Sequence, residues 1–216
     1  MALVSSVLMA LALYMVFIFV PTEATMGVVQ RIFYFHVPVA WVALFAYFVV
    51  FAGSIMYLVK RQPFWDRLAH ASGEIGFVFN TMFLITGSIW AKPIWGVWWT
   101  WTPRLTSALI LWFIYIGYLL VRAYAAEEAK GARFAAVVGI IGFLDVPIVI
   151  LAVTLWGSVH PGPIIFEGGL APSMLLTLQV GIAAFTALYA LLMVNNLELR
   201  RSEREIKRLK YDLEVS

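Results

Sequence analysis

Two of the three histidines in this chain stand close to large aromatic residues. His36 lies in "RIFYFHVP" and His160 in "WGSVHPGP". Between them, "IWGVWWTWTPRLT" from Ile94 to Thr106 sets Trp95, Trp98, Trp99 and Trp101 within seven residues, with Trp90 just upstream. An imidazole nitrogen is a common metal ligand, and indole rings bury much apolar area while stacking on other flat groups. Gly96 would let the backbone of this stretch approach a ligand closely, and Pro103 stiffens the way out of it. Two histidines without carboxylate or thiolate help make a poor zinc site, which wants three or four ligands. The chain has no cysteine, so thiolate, iron–sulfur and disulfide chemistry are excluded.

The elements that must position these residues are membrane spans. Of the 216 residues, 63% are hydrophobic and 12% charged, where a soluble domain carries about twice that charge. A spanning helix needs about 20 mostly apolar residues, and six stretches qualify: 2–20, 38–59, 68–89, 105–124, 134–155 and 172–194. The expected fold is an all-α integral membrane protein, a bundle of six transmembrane helices. Residues 1–195 form the membrane domain, and 196–216 a charged tail. The first span is not read as a signal peptide: no basic residue precedes it, and no small-residue cleavage site follows.

Basic residues give the orientation. Lys60, Arg61, Arg67, Arg122, Lys130, Arg133 and six Lys/Arg of the tail fall on one side, against Arg31, Lys92 and Arg104 on the other, twelve against three. The positive-inside rule therefore places both termini in the cytoplasm. His36, at the mouth of span two, then shares the outer face with the tryptophan loop and with His160 in the loop over 156–171.

An aromatic belt at the membrane interface explains Trp41, Trp65, Trp112 and Trp156. It does not explain five of nine tryptophans between positions 90 and 101. Two imidazoles beside an aromatic platform suit a planar metal macrocycle, because histidine is a common axial ligand of haem iron. Arg31, Lys92 and Arg104 are the cations on that face for propionate groups. For each of these residues alone, an ordinary interfacial role is an open alternative. Asp145, two residues before Pro147 in span five, is either functional or satisfied by backbone that the proline releases. His70 and Glu74 are spaced to pair on one helix face. The tail, with Leu199, Ile206, Leu209 and Leu213 near helical spacing, reads as a surface helix or as a solvated anchor. Nothing resembles a phosphate loop, a nucleophile–base pair or a hydrolytic metal motif. A carrier is expected rather than an enzyme, with energy coupling supplied by a partner and with no nucleic-acid ligand.

The stretch "WGVWWTWTPRLT" closely resembles the tryptophan-rich signature of the WWD-domain haem-handling proteins of cytochrome c biogenesis. The six-span layout is similar to that of the haem exporter protein C family within that group. The resemblance covers about 20–195 and includes "RIFYFHVPVAW", "TGSIWAKPIWG", "DVPIVI" and a histidine in the last outer loop. It implies haem b as the bound group, with His36 and His160 as axial ligands of the iron. It also implies a platform of Trp95, Gly96, Trp98, Trp99 and Trp101, with Arg104 beside it. By the same resemblance, the chain would sit in the cytoplasmic (inner) membrane and pass haem on the periplasmic face to a membrane-anchored haem chaperone. Its partners would be the membrane and ATPase subunits of an ABC-type transporter and a small single-span accessory protein. Thr102 departs from the family pattern, which usually has aspartate there; the change bears on transfer more than on binding. The rival readings are a direct haem lyase of the same superfamily, which is usually longer, and a small-molecule transporter. A transporter would need broken helices or ionisable groups deep in several spans.

Topology is directly testable in a cysteine-free chain. Val97→Cys should react with an impermeant thiol reagent added to intact cells, and Lys130→Cys should not. The reverse pattern would invert the arrangement.

Overall fold

The computed structural model describes residues 1–156 and 169–215. Its helices are α1 (Ala2–Tyr14), α2 (Phe33–Lys60), α3 (Pro63–Trp95), α4 (Pro103–Tyr124), α5 (Glu128–Phe143), α6 (Asp145–Trp156) and α7 (Pro172–Val215). A π-type turn over Met15–Phe19 extends α1, and a 3-10 turn over Val28–Ile32 leads into α2. There is no strand among the described residues, and six helical segments are long and apolar enough to cross a membrane. The six expected spans are all present.

Three differences from the expected boundaries matter for the site. The second span begins earlier than 38, so His36 lies inside the first turn of α2 rather than in a loop. The third runs on from 89 to Trp95, carrying Trp90 and Trp95 onto a helix. The fifth is broken at Leu144 into α5 and α6. Pro147 accounts for the break: it offers no N–H to the Phe143 carbonyl, and its ring crowds that oxygen. Asp145 stands in the first turn of α6, where the positive end of the helix dipole favours a carboxylate. Its Oδ2 atom is buried without a hydrogen-bond partner, while the carboxyl group hydrogen-bonds Ser107 of α4. The tail continues α7 as one helix to Val215.

α2 and α3 form the most extensive helix pair. Small residues let their backbones come together, as is common where lipid provides no hydrophobic drive between helices. Ala43, Ala46 and Gly53 of α2 and Ala69, Ser72 and Gly76 of α3 are buried. A Cβ at Gly76 would lie 2.8 Å from the Tyr47 ring. The Ser72 hydroxyl donates to the Ala46 carbonyl at 2.8 Å and meets the Tyr189 hydroxyl of α7 at the same distance. α7 also packs on α1, α5 lies against α2 and α4, and α6 lies against α4.

Ion pairs close the end of the bundle opposite the tryptophan loop. Arg122 of α4 donates twice to Asp66 of α3, at 2.6 and 2.9 Å. Glu74 receives Arg200 Nη2 at 2.5 Å, Asn196 Nδ2 at 2.9 Å and His70 Nε2 at 3.4 Å. The expected His70–Glu74 pair is therefore part of a larger α3–α7 network.

Candidate functional site

At the other end, the first turn of α2, the part of α3 from Phe83 to Trp95 and the start of α4 enclose a groove. The chain approaches α2 through a tight turn in which the Glu23 carboxylate accepts the backbone N–H groups of Thr25 and Met26. His36 follows one turn into α2 and is only 5% exposed. Its ring lies 4.9 Å from that of Phe83 at 31°, and 5.7 Å from Trp90, edge on. Phe33 meets the same indole at 6.0 Å, also edge on. Both aromatic neighbours of the His36 ring come from α3.

α3 ends at Gly96, whose φ of +76° is the left-handed conformation that favours glycine. Its N–H bonds the Lys92 carbonyl at 3.0 Å. The turn sends the chain across the groove as Val97–Trp101, and Pro103 opens α4 at its first helical position. The groove is lined by His36 and Phe83, by Trp90 and Trp95 from α3, by Trp98 and Trp99 from the loop, and by Arg104 from α4. Trp99 and Trp101 meet edge to face at 5.9 Å. Trp101 stands outside the lining and is 75% exposed.

The three cations of this face separate clearly. Arg31 Nη1 donates to the Phe17 carbonyl at 3.1 Å and ties α2 to the end of the first span. Lys92 Nζ bonds the Gly96 carbonyl at 2.9 Å and lies 6.0 Å from the Trp98 ring centroid. Each of these bonds holds backbone in place, and Arg31 Nε is itself buried with no hydrogen-bond partner. Arg104 lines the groove, and its Nε is buried with no hydrogen-bond partner. The same holds for Trp90 Nε1, Trp99 Nε1 and Thr100 Oγ1. Buried polar atoms are almost always paired, so this cluster of donors suits a ligand that brings oxygen acceptors. Thr102 is the N-cap of α4 without a side-chain cap bond. Aspartate is a strong cap at such a position, so the family's usual residue would have a structural role there.

Of the sequence-predicted residues, the fold brings His36, Trp95, Trp98, Trp99 and Arg104 together, with Gly96 shaping the turn. His160 lies outside the described residues. The described chain returns at Gly169 and Leu170, where Leu170 packs on the cluster formed with Tyr34 of α2. Among the described residues no three His, Asp or Glu side chains cluster to hold a bare metal ion. Sequence reading did not single out Phe83, Thr86 or Gly87 as site residues. They recur on α3 with Trp90 at three- and four-residue spacing, but only the α2–α3 register shows that this face meets His36.

The sequence profile of the family described as Heme exporter protein C matches residues 1–212. Heme exporter protein C of Bradyrhizobium diazoefficiens is 35% identical over 213 residues, covering 96% of this chain and 81% of its own. The Escherichia coli K12 protein of the same name is 31% identical over 207 residues, covering 94% and 84%. A ccmC-like mitochondrial protein of Arabidopsis thaliana, named for cytochrome c biosynthesis, is 33% identical over 189 residues, covering 87% and 72%.

The Gly96 turn yields a test independent of any ligand. No atom lies within 4 Å of a Cβ placed there, so the cost of Gly96→Ala is conformational, roughly 1 kcal/mol. It should appear as a lowered midpoint in SDS denaturation together with an altered tryptophan emission spectrum. Gly117→Ala, equally open but inside α4, should be neutral or slightly stabilising. Equal behaviour of the two variants would show that the left-handed turn does not aim the loop.

Proposed function

The chain belongs to the heme exporter protein C family, and on that premise we propose that it is a carrier that binds haem and hands it on in cytochrome c biogenesis. The observation that carries this reading is the burial of His36 in a groove walled by four tryptophans, with Arg104 at its edge. In this reading the bound group is haem b, and His36 is one axial ligand of its iron. His160 is the second, on the strength of the family resemblance alone. Trp95 and Trp99 give the macrocycle apolar faces to stack on, with Trp98 and Trp101 at the exposed rim. The unpaired Arg104 Nε and Trp99 Nε1 supply donors for propionate oxygens, a charge-assisted contact in the case of arginine.

The bilayer arrangement follows the basic-residue asymmetry. Both termini and the tail over 196–216 face the cytoplasm, the membrane is the inner membrane, and the groove opens on the periplasmic side. The described residues offer no energy source, so release depends on partners: a membrane-anchored periplasmic haem chaperone, and an ABC-type transporter whose ATPase powers the cycle. A small single-span accessory protein completes the set. The exposed rings of Trp98 and Trp101, at 57% and 75%, are where a second protein would reach the cargo. Holding and handing over are thus assigned to different parts of one loop.

That division can be measured. Trp98→Ala and Trp101→Ala should leave the absorption spectrum of bound haem nearly unchanged while lowering the yield of haem-loaded chaperone several-fold, read by co-purification and haem staining. Trp99→Ala should weaken binding itself. Normal transfer by all three variants would reduce the loop to a membrane belt.

A further inference from the structure

A neutral imidazole has one N–H and one lone pair, and it ligates a metal only through the nitrogen that holds the lone pair. The packing around His36 decides which one that is. Its Nδ1 lies 3.0 Å from Thr86 Oγ1 on α3. The Thr86 hydroxyl has a single proton, aimed back along its own helix at the Met82 carbonyl at 2.8 Å, with the Phe83 carbonyl at 3.2 Å. With that proton engaged, the Thr86 oxygen acts as an acceptor towards His36, so Nδ1 carries the imidazole proton and Nε2 the lone pair.

The same contact fixes the orientation of the ring. A half-turn about its bond to Cβ would replace Nδ1 by a carbon and forfeit the hydrogen bond. Gly87 makes the fit possible, since a Cβ there would stand 3.0 Å from His36 Cε1. Phe83 and Trp90 also lie against the ring. Metal-binding histidines commonly donate their second N–H in this way, which fixes the tautomer and raises the basicity of the ligating nitrogen.

We infer that Thr86 is a positioning residue: it holds His36 in the tautomer and orientation that make Nε2 the iron-ligating atom. The iron-ligand part of this rests on the function proposed above; the tautomer does not. Two consequences follow for bound haem. Loss of the Thr86 bond leaves Nε2 a weaker donor, so affinity falls. A less electron-rich ligand stabilises ferric iron less, so the midpoint potential rises.

The test uses the full-length protein in detergent with ¹⁵N-labelled histidine. His36→Ala assigns the His36 signals among the three histidines. In the haem-free wild type, the His36 ring should show a protonated Nδ1 and an unprotonated Nε2; a proton on Nε2 instead overturns the inference whether or not any variant folds. Thr86→Val, which keeps the shape and removes the hydroxyl, should lose that fixed tautomer. It should also bind haem about tenfold or more weakly and raise its midpoint potential. Thr86→Ser should restore all three. Wild-type tautomer, affinity and potential in Thr86→Val would leave Thr86 a packing residue only. Failure of the underlying function looks different: His36→Ala would then bind haem with unchanged spectrum and affinity. That result overturns the ligand role of both residues, while the haem-free tautomer still reports the Thr86–His36 bond.

Discussion

The close approach of α2 to α3 is the constraint on which the rest of this molecule depends. Lipid is as apolar as a leucine side chain, so two helices in a bilayer gain by packing and by internal hydrogen bonds rather than by escaping water. Small residues on both helices, and the Ser72 hydroxyl reaching across to Ala46, bring the backbones together. The same register, carried to one end, sets His36 against Phe83, Thr86 and Gly87. The site is the visible end of a contact that runs the length of both helices.

The two ends of the bundle are finished differently. At one, charged side chains answer each other: Arg122 with Asp66, and Glu74 with Arg200, Asn196 and His70. Both ends also hold buried donors without a partner, Arg122 Nε and Trp65 Nε1 at the first and Arg104 Nε, Trp90 Nε1 and Trp99 Nε1 at the other. Unpaired buried donors cost stability, about 1–3 kcal/mol each, and such a cost persists where function needs it. The paired end stabilises the bundle. In the function proposed above, the donors beside the groove would meet acceptors brought by the ligand.

Much of the fold was legible in the sequence because hydropathy reports directly on spans. The histidine and tryptophan cluster was legible because its residue types are rare and crowded. What was not legible depends on helix ends and register. Trp90, Lys92, Pro93 and Trp95 read as loop, being bulky, charged or helix-breaking, yet α3 runs through them until Gly96 turns it. Pro147 was noticed, but the break at Leu144 depends on which carbonyl its ring displaces. Thr86 and Gly87 open the stretch "TGSIWAKPIWG", but nothing in it marks them as site residues; they matter because a neighbouring helix places an imidazole over them.

The central claim is that His36 ligates the iron of a haem held in the tryptophan-lined groove. Electron paramagnetic resonance of the ferric haem complex tests it most directly, because axial nitrogen ligation sets the spin state. The account predicts a low-spin signal in the wild type that turns high-spin, or vanishes with the haem, in His36→Ala. The same low-spin signal in both proteins, at equal haem occupancy, would contradict it.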